Sequence, residues 1–292
     1  MAGEKVNESH ETESKGRTAL VVEGGGMRGV FSTGILDAFI KQDFNPFDLC
    51  IGVSAGASNL AAYLGKMYQR NFKVFTDYSL RPEFISMKKF VRGGHLMDID
   101  WLWDITLREM PVDVDTLFST LSEFIIGATE VNTGKSVYLN PTRQNFDQLM
   151  KASSAIPVIY RGFVEVDGVK YVDGGVTDSI PVIEAYRRGA SKIMVLRSRP
   201  HSYIMQSSKN NVLTKWHLRR YPDLLQALEN RVHTYQAAIE FMRNPPAGVE
   251  VIEVNPPDSF QTERLTKELS ILKQDYQLGY DRGVQLMEDW GK

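Results

Sequence analysis

Ser54 is the residue of this chain whose neighbours point most directly to chemistry. It stands in Gly52-Val53-Ser54-Ala55-Gly56, the G-x-S-x-G pattern of a serine nucleophile on a sharp strand-to-helix turn. A serine hydroxyl is a weak nucleophile that needs a base, exposure and donors for a developing oxyanion. Small residues relieve crowding at such a turn, and the following helix directs its N-terminal amides at the site. The pattern therefore predicts attack by Ser54 on an acyl ester, with Gly52 and Gly56 shaping the turn.

A glycine-rich segment precedes this turn and is a candidate oxyanion hole. Its glycines let backbone amides approach an anion closely, and its arginine adds charge or holds the loop in place. The segment also matches G-x-G-x-x-G, the dinucleotide fingerprint, which requires an acidic residue at the end of the second strand. That position holds Ser54, so the oxyanion interpretation is favoured, and a P-loop is disfavoured because no Gly-Lys-Ser/Thr follows. The segment reads Gly24-Gly25-Gly26-Met27-Arg28-Gly29.

The base that would serve Ser54 is less obvious. None of the five histidines lies in a glycine-marked loop after a strand, where a triad histidine is expected; they are His10, His95, His201, His217 and His233. Asp173 follows an apolar-aromatic run and precedes two glycines. A carboxyl group with a pKa of about 3.9 is a poor base in water, but desolvation raises its basicity. From chemistry alone, Asp173 as base and Asp173 as a turn cap are equally favoured, and a triad using His201, His217 or His233 stays open.

Alternating strand and helix patterns would position these residues. Strands are predicted at 18–22 and 48–53, with helices at 30–40 and 55–67, an order typical of a parallel sheet covered by helices. Residues 68–110 show no clear pattern and are interpreted as an elaborated cap. Further strands are predicted at 124–130, 136–139, 163–166, 169–172, 193–196 and 249–254, and further helices at 142–152, 221–242 and 263–288. Asp167-Gly168 predicts a two-residue hairpin between two of these strands.

Composition narrows the function classes. The 292 residues carry a net charge of −2, which gives no reason to expect nucleic acid as a partner. A single cysteine, Cys50, excludes an intrachain disulfide and suits a reducing compartment, so the cytoplasm is the predicted location. No apolar run of about 18 residues is present. Residues 1–16 are predicted to be a disordered tail, and 17–292 a single domain whose motifs lie within 17–190, with C-terminal strands and helices in 191–292.

These segments together resemble the patatin-like phospholipase family. The glycine loop, the Ser54 turn and Asp173-Gly174-Gly175 occur in the family's order, and residues 152–157 (Ala-Ser-Ser-Ala-Ile-Pro) are similar to another of its segments. The resemblance implies a three-layer α/β/α sandwich with a mostly parallel central sheet. It implies a Ser54–Asp173 dyad without a catalytic histidine, and an oxyanion hole from the glycine loop with Arg28. It further implies hydrolysis of phospholipid or lysophospholipid esters through an acyl-serine intermediate, with neither metal nor cofactor.

Three features leave the substrate open. Asp178 stands where plant-type members carry asparagines, so plant substrate preference is not transferred. Trp101-Leu102-Trp103 and the basic segment 215–220 are candidates for peripheral membrane contact, with core packing and a solvated helix start as the favoured alternatives. The sequence does not specify the head group, the acyl length or the oligomeric state. A further interpretation is that the chain is an inactive, lipid-binding relative of these enzymes.

Overall fold

The computed structural model describes residues 16–206 and 212–290, and within them eight strands form one sheet. Five strands run parallel in the order β3-β2-β1-β7-β8, while β4, β5 and β6 pair antiparallel beside them. The predicted mostly parallel sheet is therefore confirmed. The strands are β1 (Arg17–Val22), β2 (Leu49–Val53), β3 (Glu123–Glu130), β4 (Ser136–Leu139), β5 (Val164–Val166), β6 (Val169–Asp173), β7 (Ala190–Leu196) and β8 (Glu250–Val254).

Helices cover both faces of the sheet, which gives the predicted three layers. Alternate residues of β1 point to opposite sides, as the period of a strand requires: Leu20 and Val22 pack with α1, α2 and α7, whereas Ala19 and Val21 pack with α8 and α10. The described residues contain α1 (Val30–Lys41), α2 (Ala55–Leu64), α3 (Arg70–Thr76), α4 (Met87–Val91), α5 (Ile99–Glu109), α6 (Val114–Ser119), α7 (Phe146–Ser154), α8 (Val182–Arg187), α9 (Val212–Leu218), α10 (Pro222–Arg243) and α11 (Leu269–Asp289).

Strand β3 brings the carboxyl ends of β2 and β6 together along one of its edges. β4 occupies one edge of β3, so β2 and β6 must both lie on the other. Val53 of β2 pairs with Gly127, and Asp173 of β6 pairs with the next residue, Ala128. Because β2 and β6 run in opposite directions, their carboxyl ends meet at this point, which places Asp173 beside the turn that follows Val53.

The C-terminal helix lies directly against the first helix of the chain. A Cβ at Gly279 would lie 2.1 Å from the Phe31 carbonyl oxygen, and one at Gly34 would lie 2.2 Å from that of Tyr276. Only residues without a side chain permit this backbone approach. The C-terminal region is therefore held closely against the N-terminal core.

Several predicted boundaries were wrong. The helix predicted at 263–288 begins at Leu269, because residues 263–268 make other contacts: the Glu263 amide donates to Thr266 Oγ1, and the Arg264 carbonyl oxygen accepts from the Met27 amide. The helix predicted at 55–67 ends at Leu64, and that predicted at 142–152 begins at Phe146. Residues 68–110 hold α3, α4 and α5. The predicted tail lies outside the described residues except for its last residue, Gly16.

Candidate active site

Ser54 occupies a strained turn between β2 and α2. Its backbone has φ 54° and ψ −124°, a conformation that non-glycine residues rarely adopt and that often marks functional sites. The Ser54 amide donates to Ser153 Oγ at 2.8 Å, and this hydroxyl donates to the Gly127 carbonyl oxygen at 2.7 Å. Ser153 is fully buried, so it fixes the turn against β3. No role was predicted for Ser153, because nothing in its local sequence indicates its contact with Ser54.

The glycines around the turn stand where the backbones meet. A Cβ at Gly56 would lie 2.3 Å from the Val22 carbonyl oxygen. One at Gly24 would lie 2.9 Å from the Val53 carbonyl oxygen and 3.2 Å from Ser54 Cβ. Gly52 lies within β2, paired with Val22. The turn and the glycine loop are therefore in direct contact, and a side chain at Gly24 would displace the serine.

Asp173 ends β6 and faces the Ser54 hydroxyl. Its Oδ1 accepts from the Gly175 amide at 2.7 Å, and its own amide donates to the Ala155 carbonyl oxygen at 3.0 Å. Burial raises the pKa of the Asp173 carboxyl, while hydrogen bonds from Ser54 and Gly175 and the charges of two arginines act in the opposite direction. The carboxylate is thus both desolvated and directed, which are the properties of a buried base.

The glycine loop lines the same pocket as Ser54 and Asp173. Gly24, Gly25 and Gly26 all contribute to this pocket, whose volume is about 300 Å³. The Gly24 amide donates to the Ser179 carbonyl oxygen at 3.4 Å. The amides of Gly25 and Gly26 donate to no backbone carbonyl within the part of the chain that the structure describes. These two amides are therefore free to meet a ligand in the pocket.

Arg28 lies in a different place from the rest of the loop. Its guanidinium is 4% exposed and lines a neighbouring cavity rather than the Ser54 pocket. Burial and the charge of Arg199 lower its pKa to about 10. Two arginines that the sequence analysis did not single out, Arg231 and Arg264, line the Ser54 pocket. They follow the recognisable motifs by more than fifty residues, and no local pattern marks them.

The histidines whose side chains are described lie elsewhere. His95 stacks on Tyr160 and its Nδ1 accepts from the Arg161 amide. The His201 side chain is 69% exposed, and His233 is exposed. None of these three lines the Ser54 pocket, while His10 and the side chain of His217 fall outside the described part. Across the described residues, no group of three His, Cys, Asp or Glu side chains is arranged to hold a metal ion.

The Ser54 pocket is also not lined by Asp178, Trp101 or Trp103. Asp178 accepts from the Tyr138 hydroxyl at 2.6 Å and from the Ile180 amide at 3.1 Å. Trp103 is buried in the core, and Trp101 packs half-buried against a small apolar cluster. The two tryptophans therefore pack inside the protein, as the favoured alternative predicted, and do not form an exposed membrane patch. No helix among the described residues is long and apolar enough to span a bilayer.

An apolar cavity opens on the other side of Ser54. It has a volume of about 100 Å³, and Ser54 and Gly26 form part of its wall. Its remaining lining is mostly aliphatic and aromatic and comes from α3, α5, α7 and their connections, including Val74, Phe75, Leu102, Trp103, Met150 and Ile156. A larger cavity of about 610 Å³ lies at the opposite end of the strands, near Phe47 and Ser122. The serine therefore has an apolar side, formed largely by the region interpreted as a cap.

Two family models match the chain. A model described as patatin-like phospholipase matches residues 20–186, which include the glycine loop, the Ser54 turn and Asp173. A second, described as a domain of unknown function (DUF6363), matches residues 221–292. This second match covers α10 and α11, and therefore includes Arg231 and Arg264.

Two proteins of similar sequence align with most of this chain. It is 38% identical over 284 residues to the uncharacterized protein YjjU of Escherichia coli, covering 95% of this chain and 79% of that protein. It is 25% identical over 292 residues to lysophospholipase NTE1 of Kluyveromyces lactis, covering 92% of this chain but only 19% of that protein. Among solved structures, VipD from Legionella pneumophila aligns with a TM-score of 0.49 and 14% identity, covering 94% of this chain and 67% of that one.

Proposed function

Since the chain belongs to the patatin-like phospholipase family, we propose that it hydrolyses lipid acyl esters with Ser54 as nucleophile and Asp173 as general base. The observation that carries this proposal is the meeting of the Ser54 hydroxyl with the buried Asp173 carboxylate at adjoining strand ends. No described histidine shares their pocket. A serine that faces a desolvated carboxylate has the base it needs without a third residue.

The proposed reaction has two halves. Asp173 accepts the Ser54 proton as Oγ bonds to the ester carbonyl carbon, and the amides of Gly25 and Gly26 donate to the oxyanion. The carbon–oxygen bond of the leaving alcohol then breaks, and the alcohol takes the proton from Asp173. Water next gives a proton to Asp173 while its oxygen attacks the acyl-serine. The fatty acid is released and the proton returns to Ser54.

Opposing electrostatic effects suit Asp173 to this role. Burial raises its pKa and so makes the carboxylate a stronger base than a solvated aspartate. The positive charges of Arg231 and Arg264 favour the ionised form. The net result is a pKa above that of a solvated aspartate, with the two arginines limiting the rise.

The apolar cavity supports a lipid as substrate. Its aromatic and aliphatic walls would remove an acyl chain from water, which is favourable by about 25 cal/mol per Å² of apolar surface buried. Ser54 lies in the wall of this cavity and of the glycine-lined pocket. An ester carbonyl at the junction would reach the nucleophile with its acyl chain on the apolar side.

We also propose that residues 17–292 act as one hydrolase domain. The glycine-mediated contact between α1 and α11 supports it, as does the hydrogen bond from the Met27 amide to the Arg264 carbonyl oxygen at 3.2 Å. This bond links the glycine loop to the C-terminal region. Removing that region would leave the loop without part of its support.

Substitution of the dyad tests the function directly. We expect Ser54→Ala and Asp173→Asn each to lower kcat on an activated acyl ester by about 10⁴-fold, as losses of paired nucleophile and base do. The exposed residues Ser119 and Asp258 supply matched controls, Ser119→Ala and Asp258→Asn. A fluorophosphonate probe should label the wild-type protein at Ser54.

Three results would contradict the dyad. The first is turnover above a tenth of wild type in either variant while the controls remain active. The second is labelling at another serine. The third is a collapse of activity in His201→Ala, His217→Ala or His233→Ala, which would support a histidine triad instead.

A further inference from the structure

Four arginines line a cavity next to the Ser54 pocket. This cavity has a volume of about 280 Å³, and we call it the arginine cavity; its arginines are Arg28, Arg199, Arg231 and Arg264. Gly24, Leu228, Arg231 and Arg264 line both the arginine cavity and the Ser54 pocket. The two spaces therefore share a wall, and a ligand in one lies next to the nucleophile in the other.

Two of these guanidinium groups have buried nitrogens without a hydrogen-bond partner. Arg28 is 4% exposed, yet its Nε and Nη1 have no hydrogen-bond partner. The buried Nε of Arg231 is also unsatisfied. Arg199 pairs at 3.2 Å with Glu263, a side chain that is 69% exposed. Buried cations without partners are costly in a folded protein, so this arrangement indicates that an anion completes it.

The buried carboxylate of the cavity does not neutralise it. Glu23 lies in its wall but accepts from Arg197 Nε at 3.0 Å and from the Ser198 amide at 2.7 Å. Arg197 is a fifth arginine, outside the cavity lining, and is 1% exposed. Arg197 offsets the charge of Glu23, although it also pairs with Glu253. The exposed Glu229 is the second carboxylate of the cavity wall, so four arginines against two carboxylates leave the lining with an excess of positive charge.

We propose that the arginine cavity binds a phosphate group and is a substrate subsite beside Ser54. Guanidinium groups donate paired hydrogen bonds that match phosphate oxygens, and several converging arginines favour phosphate over an uncharged group. The inference rests on the proposed function only in placing an acyl ester next to the cavity. The phosphate is that of a lipid head group or a free phosphate, and the experiment separates these sources.

Two of the arginines could instead serve only the dyad. Arg231 and Arg264 act on the ionisation of Asp173, whereas Arg28 and Arg199 are not among the charges that do so. The test therefore uses Arg28→Gln and Arg199→Gln. Arg28 is buried and its variant can fail to fold, but Arg199, whose side chain is 21% exposed, is the more tolerant position. Arg108→Gln removes the same charge from an exposed site on α5 outside the cavity.

The first arm measures binding without turnover. Inorganic phosphate and glycerol 3-phosphate are titrated into the Ser54→Ala protein by calorimetry. We expect saturable binding that weakens by about tenfold or more when Arg199→Gln or Arg28→Gln is added, since each removes a charge-assisted hydrogen bond. Arg108→Gln should leave the affinity unchanged. Absence of binding, or equal binding in the folded Arg199→Gln protein, would overturn the proposal even if the enzyme hydrolyses lipids.

The second arm measures specificity. The wild type and Arg199→Gln are assayed on a lysophospholipid and on a monoacylglycerol with the same acyl chain. We expect the ratio of kcat/KM for the two substrates to shift by about tenfold against the phosphate ester. Competitive inhibition by inorganic phosphate against the lysophospholipid identifies the head group as the occupant. Binding of phosphate without such competition identifies a free anion as the occupant and would overturn the assignment as a substrate subsite. An equal loss on both substrates, without any change in phosphate affinity, would contradict the subsite.

Discussion

The two cavities beside Ser54 differ in nearly every physical respect. The apolar one is lined by side chains such as Phe75, Leu102 and Trp103, and its occupant would be stabilised by leaving water. The arginine cavity is lined by cations, several without partners, and its occupant would be stabilised by charge. A nucleophile between such surroundings suits a molecule with one apolar end and one anionic end, joined at the bond to be cleaved.

The two cavities also come from different parts of the chain. The apolar walls belong to segments inserted between β2 and β5, within the region of the patatin-like match. Three of the four arginines follow β7, and two of them lie in the region of unknown function. The C-terminal region thus contributes charged side chains to a site whose proposed nucleophile and base lie within the patatin-like match, residues 20–186. Substitutions in the apolar cavity and substitutions in the arginine cavity should therefore change activity in different ways.

The largest effect after loss of the dyad is expected at Gly24, which lines both the Ser54 pocket and the arginine cavity. In Gly24→Ala, a Cβ 2.9 Å from the Val53 carbonyl oxygen and 3.2 Å from Ser54 Cβ forces the loop away from the nucleophile. We expect kcat to fall by about a hundredfold on charged and neutral esters alike, comparable to losing one oxyanion donor. Steady-state assays on both esters would check this, with thermal unfolding to show that the fold persists. Selective loss on the charged ester would mean that the substitution disturbs the arginine cavity and not the position of the nucleophile.

A smaller effect is expected from filling the apolar side. Val74 lines the apolar cavity of about 100 Å³, and Val74→Phe would occupy much of this space. We expect kcat/KM for long acyl chains to fall by about tenfold relative to short ones, with the phosphate preference unchanged. The exposed Val284 on α11 provides the matched control, Val284→Phe. If chain-length preference stays constant in a series of esters, the acyl chain does not occupy this cavity.

The smallest effect is expected in the pH dependence. Asp173 must be ionised to act as base, so activity should fall as pH drops through its pKa, which burial raises above the ordinary value. Arg231 lowers that pKa, so Arg231→Gln should raise it and move the acidic limb of kcat/KM to higher pH. A neutral ester isolates this effect from phosphate binding, and Arg108→Gln is the control. A limb that stays in place or moves to lower pH would argue against Asp173 as the base.

Local sequence signals predicted most of the elements around the site. β1, α1, β2 and the β5–β6 hairpin agree with their predicted positions to within a residue or two, because apolar periodicity and glycine turns act over short distances. The start of α11 was missed, since the residues before it contact the glycine loop, through the Arg264 carbonyl oxygen and the Met27 amide, instead of continuing the helix. The helices α3 and α5 were missed because packing around the apolar cavity shapes them, and α4 was missed because it buries no residue and so shows no apolar pattern.

What the sequence determined by itself is the set of chemical groups and their local settings. Ser54 on its turn, the glycine loop and Asp173 before its glycines are local patterns, readable because backbone geometry at each position demands small residues. Only the tertiary structure decided that they meet. The register of β3 brings β2 and β6 end to end, and Arg231 and Arg264 arrive from the C-terminal region. Such contacts depend on strand pairing and packing between distant segments, which no local pattern encodes.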